Sequence, residues 1–428
     1  MTRTIKRGLS ILIGSLALWA CEEGEIPAAQ GPPNVVLITI DTLRADHLGS
    51  YGYERPTTPR IDQLAAESLV FEDAHAPSSW TLPSLASLMT SVYPSSHGTI
   101  LREQVLGDGF RSLAEQLQGN GYYTGGIVSQ AFASRRFGLD RGFSYFDDKL
   151  AELSRGNELF KKTSKVLSDK AIKWLAARAA EETPRPWFLW LHYFDPHLAY
   201  VPHSGYSEQF GTEKDIDLYD GEIAWTDFHV GRVLDALRDS GFEENTVVVL
   251  TSDHGEEFGD HGGRYHRTTL YREVLHVPLI VRIPGRPPER SSRLTSLVDV
   301  APLILGLTES DPLETTHGTS PVDAFGAIGP APQAVFAELV QEDGTQLRAS
   351  IGKIKWIIGE TTTAGFDRAT DPNELKPLAL TAEAHEQLER ITKYAASYSE
   401  LRGEIREAEL TPAELEQLRA LGYVGRDD

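Results

Sequence analysis

Two segments of the chain place acidic and imidazole side chains directly after buried apolar runs. Asp41 follows the run at residues 34–40, and Thr251-Ser252-Asp253-His254 follows the run TVVVL. Two carboxylates and one imidazole form a suitable ligand set for a divalent cation that takes one further oxygen. Taken singly, each aspartate is more typical of a helix cap, and only their joint occurrence favours a metal site.

The stretch SSWTLPSLASLMT, residues 78–90, offers Thr81 as the further oxygen ligand. Pro83 and the spacing of Leu85 and Leu88 predict a helix that begins beside this threonine, and helix N-termini attract anions. A hydroxyl bound to a dication loses its proton more readily and becomes a usable nucleophile. The alternative interpretation is that Thr81 only caps the helix.

Histidines in other segments are candidates for contact with an anionic substrate. His197 lies in HYFDPHLAY and His266 in GDHGGRYHRTTLY, and both follow predicted strands as parts of loops. Each histidine, taken alone, is equally consistent with a surface or structural position. His192 lies within a strand-like run, so we expect it to be structural.

The elements that must position these residues alternate along the chain. Apolar, β-branched runs predict buried parallel strands at residues 34–40, 126–128, 187–191, 246–250 and 278–283. Amphipathic patterns between them predict helices at residues 59–69, 110–118, 165–180 and 220–239. This alternation predicts an α/β fold, a doubly wound, mostly parallel sheet with helices on both faces. Ligands bind such sheets beyond the carboxyl ends of the strands, where the candidate residues lie.

The composition of the chain changes after about residue 310. Pro- and Gly-rich sequence leads to the strand-like segments AVFAELV and SIGKIKWIIG, then to DPNELKPLA and an acidic helical pattern. We therefore expect a catalytic domain at residues 34–310. Residues 311–428 are expected to form a small antiparallel sheet subdomain with a terminal helix.

The N-terminus has the pattern of an export signal. Arg3, Lys6 and Arg7 precede an apolar run from Leu9 to Ala20, which is too short to span a bilayer as a helix. The run ends in LALWAC and resembles a bacterial lipobox. We expect residues 1–21 to be a lipoprotein signal peptide with Cys21 lipidated, and residues 22–33 to be a tether. The protein would then be anchored to a bacterial membrane and face the periplasm; the alternative is a fortuitous cysteine.

The charge and cysteine content exclude some classes of protein. The formal net charge is −21, and phosphate backbones need a basic surface, so a nucleic-acid partner is not expected. Cys21 is the only cysteine, so the chain forms no intramolecular disulfide and the exported fold must rely on its apolar core.

Many ordered motifs together resemble the sulfatase family of the alkaline-phosphatase-like superfamily. They are NVVLITIDTLRADHLGSYGY, the stretch from TTPRIDQ to MTSVYP, LHYFDPHLAY, SDHGEEFGDHG, LYREVLHVPLIVRIPG and SLVDVAPLIL, with a weaker match at DPNELKPLA. The resemblance implies that the metal ligands include Asp41, Asp253 and His254. It implies Thr81 at the nucleophile position. It also implies that His197 and His266 contact the substrate anion and that Arg44 lies close to the nucleophile.

The chain departs from the family pattern at three positions. Sulfatases convert a cysteine or serine into formylglycine, and Thr81 cannot give that aldehyde. Leu85 replaces the signature arginine, and Thr42 replaces an aspartate that often completes a calcium site. Relatives with a metal-bound threonine, such as phosphoethanolamine transferases and nucleotide phosphodiesterases, act on phosphorus through a phosphothreonine. With one carboxylate lost and an imidazole present, zinc or manganese is favoured for the single cation, although calcium is possible.

Three functions follow from these observations. The first is a metal-dependent hydrolase or transferase of phosphate esters, with Thr81 as nucleophile. The second is a true sulfuric ester hydrolase, and the third is a catalytically silent lipoprotein that binds anions or glycans. In each case the expected ligand is a small-molecule, glycan-linked or lipid-linked phosphate or sulfate ester. The loops at residues 101–108 and 151–164, which are expected to set specificity, carry no readable pattern.

Overall fold

The computed structural model describes residues 31–151, 163–398 and 406–412, together with residues 1 and 418. The predicted signal peptide with Cys21, most of the tether and most of the loop at 151–164 lie outside the described residues. Among the residues that are described, no helix combines the length and apolarity that a membrane span requires.

Strands and helices alternate through the first three quarters of the chain. The strands are β1 (Asn34–Ile40), β2 (Leu69–Phe71), β3 (Ala74–His75), β4 (Gln104–Val105), β5 (Tyr123–Val128), β6 (Tyr145–Asp147), β7 (Trp187–Tyr193), β8 (Thr246–Ser252), β9 (Glu257–Phe258), β10 (Arg264–Tyr265), β11 (Leu279–Arg282), β12 (Glu289–Ser291), β13 (Thr295–Ser296), β14 (Val335–Val340), β15 (Gln346–Ile351), β16 (Ile354–Gly359), β17 (Thr363–Asp367) and β18 (Arg406–Glu407). The helices are α1 (Pro59–Ala66), α2 (Thr81–Thr90), α3 (Pro94–His97), α4 (Leu113–Gly119), α5 (Thr163–Ala179), α6 (Asp215–Asp239), α7 (Arg272–Leu275), α8 (Val300–Leu307) and α9 (Ala382–Tyr398).

An eight-stranded sheet forms the centre of the molecule, in the order β12-β2-β11-β8-β1-β7-β5-β6. Strands β8, β1, β7, β5 and β6 are parallel, and β11 runs antiparallel to both of its neighbours. Every residue of β1 is buried, which explains its continuous apolar sequence. The predicted mostly parallel sheet is confirmed.

Apolar layers cover both faces of this sheet. Along β1, Leu37 packs into one apolar cluster, whereas its neighbours Val36 and Ile38 pack into a second. Side chains of α2, α4 and α8 belong to the first cluster, and side chains of α1, α5 and α6 belong to the second. The doubly wound arrangement with helices on both faces is therefore confirmed.

Three helices begin at residues that differ from the prediction: α5 begins at Thr163 rather than at residue 165, and the other two differ for identifiable reasons. Helix α4 begins at Leu113 rather than at residue 110, because Ser112 and Glu115 form a capping box. Helix α6 begins at Asp215 rather than at residue 220. The sequence analysis missed this start because the first turn is acidic and lacks the apolar period of the later turns. Acidic side chains are favourable at that position because they interact with the helix dipole.

The C-terminal subdomain contains a four-stranded antiparallel sheet, β14-β15-β16-β17, followed by α9. This sheet supports the segment that precedes Thr81, because Ser78 Oγ donates to Glu338 O at 2.8 Å and Glu338 N donates to Pro77 O at 2.9 Å. The buried Lys355 ammonium lies 2.8 Å from both carboxylate oxygens of Glu374. The predicted small antiparallel sheet is confirmed, although β17 was not foreseen from the sequence TAGFD.

Candidate active site

The sheet register brings the two candidate aspartates together. Strands β1 and β8 are adjacent and parallel, and Ile40 pairs with Ser252 in the register. An aspartate follows each of these two residues, so Asp41 and Asp253 lie side by side at the carboxyl edge of the sheet. This is the edge at which open α/β sheets bind ligands.

Asp41, Asp253 and His254 form a buried cluster suited to a divalent cation. His254 Nε2 lies 3.5 Å from Asp41 Oδ1 and 3.5 Å from Asp253 Oδ2. His254 Nδ1 lies 2.8 Å from Gly255 O, which leaves Nε2 to act as the ligand nitrogen of a neutral imidazole. Among the described parts of the chain, this is the one group of three such residues whose ligand atoms lie close enough to share an ion.

The carboxylates of this cluster need a positive charge between them. Asp41 Oδ1 and Asp253 Oδ2 are buried and have no hydrogen-bond partner within the described chain. Burial and the neighbouring Asp253 raise the pKa of Asp41 well above its ordinary value, and burial raises the pKa of Asp253. A buried carboxylate oxygen without a partner is costly, so these residues fit a cation that would satisfy both Asp41 Oδ1 and Asp253 Oδ2.

Thr81 lies against this cluster rather than at the cap of its helix. The N-cap position of α2 is occupied by Trp80, with φ −160° and ψ 162°, and Thr81 is the first residue of the helix. Thr81 Oγ1 is buried and lies 3.3 Å from His254 Nε2. The hydroxyl therefore adjoins the candidate metal ligands, as the interpretation of Thr81 as a nucleophile requires.

The predicted anion-contacting histidines pack beside His254. The ring centroids of His266 and His254 are 4.6 Å apart, and those of His197 and His266 are 5.0 Å apart. Burial lowers the pKa of His197 to about 3 and lowers that of His266 well below its ordinary value. Burial therefore favours the neutral form of both rings.

Two residues that the sequence analysis did not identify hold His266 in place. Glu256 Oε1 lies 2.9 Å from His266 Nδ1, and Glu256 Oε2 accepts a hydrogen bond from the Tyr200 hydroxyl at 2.8 Å. Glu256 is buried, and burial raises its pKa. In the sequence, Glu256 could have been identified by its position two residues after His254.

Arg44, which the resemblance implies lies close to the nucleophile, is bonded to two carboxylates and to the backbone of Glu256. Its Nε and Nη2 donate to Asp46, its Nη1 and Nη2 donate to Asp260, and its Nη1 also donates to Glu256 O at 3.1 Å. These contacts engage every N–H group of the guanidinium. Arg44 therefore fixes the loop that carries Glu256 and has no N–H group left for a substrate in this structure.

Comparisons with known proteins give the chain its family. A family model described as sulfatase matches residues 33–310, about two thirds of the sequence. The chain belongs to the sulfatase family. Human arylsulfatase A is 27% identical over 456 residues, covering 92% of this chain and 88% of that protein. A sulfatase from Formosa agariphila is 24% identical over 445 residues, covering 82% and 84% of the two chains.

Solved structures agree with the fold. The phosphonate monoester hydrolase of Agrobacterium radiobacter superposes with a TM-score of 0.74 and 20% identity, covering 86% of this chain and 96% of that one. A protein solved with its substrate D-glucosamine-2-N,6-O-disulfate gives a TM-score of 0.73 and 17% identity, covering 86% and 98%. The protein is thus a sulfatase-family hydrolase with the alkaline-phosphatase-like fold.

Gln130 is a further residue of the site that the sequence analysis missed. It follows β5, and its side-chain Nε2 donates to Asp41 Oδ2 at 2.9 Å while its Oε1 accepts from Phe132 N at 3.0 Å. The amide is fixed at both ends, so it orients Asp41 with Oδ1 toward His254. His192, which was expected to be structural, also lies near Asp41. Its Nδ1 is 2.7 Å from Thr39 Oγ1, and its Nε2 is 3.9 Å from Asp41 Oδ2.

We expect Gln130→Met to weaken metal binding, because Asp41 would lose the contact that orients it. Partners of this kind typically change metal affinity by about 10- to 100-fold. The measurement is equilibrium dialysis with zinc and with manganese. Gln116→Met is the matched control, since Gln116 is also buried but donates to Asp311 O at 2.9 Å. An equal loss of metal in both variants would contradict the assignment.

Proposed function

We propose that this sulfatase-family protein is a metal-dependent hydrolase or transferase of phosphate esters, with Thr81 as its nucleophile. The observation that carries the proposal is the position of Thr81 Oγ1, 3.3 Å from His254 Nε2. That nitrogen in turn lies 3.5 Å from the unpartnered oxygens of Asp41 and Asp253. One hydroxyl thus adjoins the complete candidate ligand set.

The residue types favour phosphorus over sulfur chemistry. Formylglycine is made from cysteine or serine, and the extra methyl of Thr81 excludes that aldehyde. Leu85, at the position of the signature arginine, is fully buried in the apolar core and offers no contact to a formylglycine. Direct attack by the threonine hydroxyl needs neither the aldehyde nor the arginine.

Asp41, Asp253 and His254 would hold the cation, and zinc or manganese suits this mixed set of carboxylate and imidazole ligands better than calcium. When bound, such a cation lowers the pKa of a neighbouring hydroxyl and offsets negative charge on a transferring phosphoryl group. The unpartnered oxygens of Asp41 and Asp253 support this assignment.

The chain's own groups account for the movement of atoms and protons. Thr81 Oγ1 forms a bond to phosphorus, the bond from phosphorus to the leaving oxygen breaks, and a phosphothreonine results. With Glu256 ionised, His266 donates from Nδ1, so its Nε2 is the proton acceptor. The leaving oxygen departs with the electrons of the broken bond and takes the proton from His266. Water, or an alcohol in a transferase, then attacks phosphorus, the bond from phosphorus to Thr81 Oγ1 breaks, and the proton of the attacking group passes to Oγ1.

A true sulfuric ester hydrolase is the second candidate, favoured by the relatives. These include arylsulfatase A and an ulvan-active sulfatase of Formosa agariphila, 25% identical over 321 residues. A silent binding protein is disfavoured, because the structure brings Thr81 and the predicted histidines to the ligand cluster. Glycan-linked esters are a proposed substrate class, since one similar structure contains a neocarrahexaose.

A single assay separates the three functions. The purified protein is loaded with zinc, manganese or calcium and given paired aryl phosphate, phosphodiester and sulfate substrates. Thr81-dependent release from phosphorus supports the proposal, and release from sulfate alone supports the sulfatase. No turnover with any metal would favour the silent protein.

We also propose that the protein is exported and anchored to a bacterial membrane through Cys21. The motivation is the position of the only cysteine directly after LALWA. We expect Cys21→Ser protein to leave the membrane fraction and to carry no label from a radiolabelled fatty acid, because the acyl chains supply the anchor. A variant that stays with membranes and keeps the label would contradict the lipoprotein interpretation.

A further inference from the structure

His266 lies in a segment whose backbone conformation is unfavourable for residues with side chains. Its two neighbours, Tyr265 and Arg267, have φ angles of 74° and 70°. This left-handed region suits glycine, and other residues stay in it only where surrounding contacts hold them there. Such outliers concentrate at functional sites. The contacts that hold this segment therefore bear on the position of His266.

Arg267 joins the segment to the residues that precede Thr81. Its backbone N–H donates to Ser79 O at 3.2 Å. Its guanidinium carbon lies 4.4 Å from the centroid of the Trp80 ring, which is within the range of a cation–π contact. Trp80 is the N-cap residue of α2 and directly precedes Thr81. The candidate proton acceptor and the candidate nucleophile are thus linked through the contact between Arg267 and Trp80.

Other residues fix this contact on both of its sides. Trp80 is buried, and its ring meets the Phe132 ring edge-on, with the centroids 5.5 Å apart. The Arg267 guanidinium lies 3.3 Å from one carboxylate oxygen of Glu342, whose other oxygen is 2.6 Å from Arg102. The Arg267 side chain is only 11% exposed. Because desolvation strengthens the attraction between a cation and an aromatic ring, the contact is suited to holding the segment in place.

We propose that Arg267 is a positioning residue, whose contact with Trp80 holds His266 at a fixed place relative to Thr81. The inference rests on the proposed function and deepens it, because it concerns how that site is assembled. Without the guanidinium, the backbone around residue 267 can leave the left-handed region and carry His266 with it. A misplacement of catalytic groups by about 1 Å can cost about a hundredfold in rate.

A double-mutant cycle between Arg267 and His266 tests this role. Arg267→Met removes the guanidinium but keeps the apolar stem, so kcat is expected to fall by about tenfold or more, with KM within about threefold of the wild type. In His266→Gln protein the same change should lower kcat by less than about twofold, because the residue that Arg267 positions is absent. The substrate is the aryl phosphate or phosphodiester that the metal-loaded wild type hydrolyses fastest, and the rates are taken well below each melting temperature.

Two further variants separate the guanidinium from other causes. Arg267→Gly makes the left-handed conformation easy but lacks the cation, so it should be as slow as Arg267→Met. Arg264→Met is the matched control, because Arg264 lies in the same segment, 5.7 Å over the Tyr265 ring, yet its side chain is 63% exposed and pairs with Asp215. That variant should keep the wild-type kcat.

Amide hydrogen exchange gives a readout without turnover. The peptide that spans residues 264–268 should exchange about tenfold faster in Arg267→Met protein than in the wild type, because the contact that holds it is lost. Unchanged exchange, an equal loss of kcat with and without His266, a rise in KM alone, or a wild-type rate in Arg267→Gly would each overturn the inference while leaving the proposed function intact. Absence of Thr81-dependent hydrolysis in the wild type would overturn both.

Discussion

Replacing Thr81 with alanine is expected to reduce turnover by about a thousandfold or more while leaving the fold intact, because the attacking oxygen is lost. If Thr81 served only the fold, alanine would lower the melting temperature and activity would persist below that temperature. The measurements are the rate of ester hydrolysis and the melting temperature of the same preparation. A near wild-type rate in Thr81→Ala protein would end the nucleophile hypothesis.

Two further variants sharpen this test. Thr81→Ser keeps the hydroxyl, so it should retain substantial phosphoryl transfer. Thr90→Ala is the matched control, because Thr90 is equally buried in α2 but its Oγ1 donates to Ala86 O at 2.6 Å. That variant should lose stability without losing rate. A phosphoryl group trapped at low pH should map to the peptide that contains Trp80-Thr81-Leu82.

The sequence predicted the site wherever a strand end fixes a side chain. Asp41 and Asp253 could be paired in advance because parallel strands end at one edge, and the register confirms their proximity. Thr81 could be placed at the start of α2 because Pro83 marks a first helical turn, and the resemblance assigned it to the nucleophile position. Periodicity and strand polarity are local properties, so they can be read without knowledge of tertiary contacts.

The missed residues depend on contacts between distant segments. Gln130 and Asp41 are 89 positions apart, and Tyr200 and Glu256 are 56 apart, so no local pattern links them. The contacts of the Arg44 guanidinium were likewise not predicted. The guanidinium turns toward Asp46 and Asp260 because two carboxylates offer it charge-assisted hydrogen bonds.

The second large effect is expected at Asp253. Asp253→Asn should lose metal affinity by at least about a hundredfold, since an anionic ligand is replaced by a neutral one. His266→Gln should retain the metal, because the ring of His266 contacts His254 while its Nδ1 pairs with Glu256. Equal metal retention by the two variants after dialysis would contradict the assignment of Asp253 as a metal ligand.

Thermal unfolding distinguishes loss of a ligand from loss of the fold. In Asp253→Asn protein the retained oxygen can still accept from Thr42 N and His254 N, which donate to Asp253 Oδ1 at 3.3 Å and 3.0 Å. The substitution also removes a buried negative charge whose Oδ2 has no hydrogen-bond partner within the described chain, so without metal the variant should be at least as stable as the wild type. Metal at about 100 times its Kd stabilises a folded protein by about 2.7 kcal/mol. Added zinc or manganese should therefore raise the melting temperature of the wild type and of His266→Gln, but not that of Asp253→Asn.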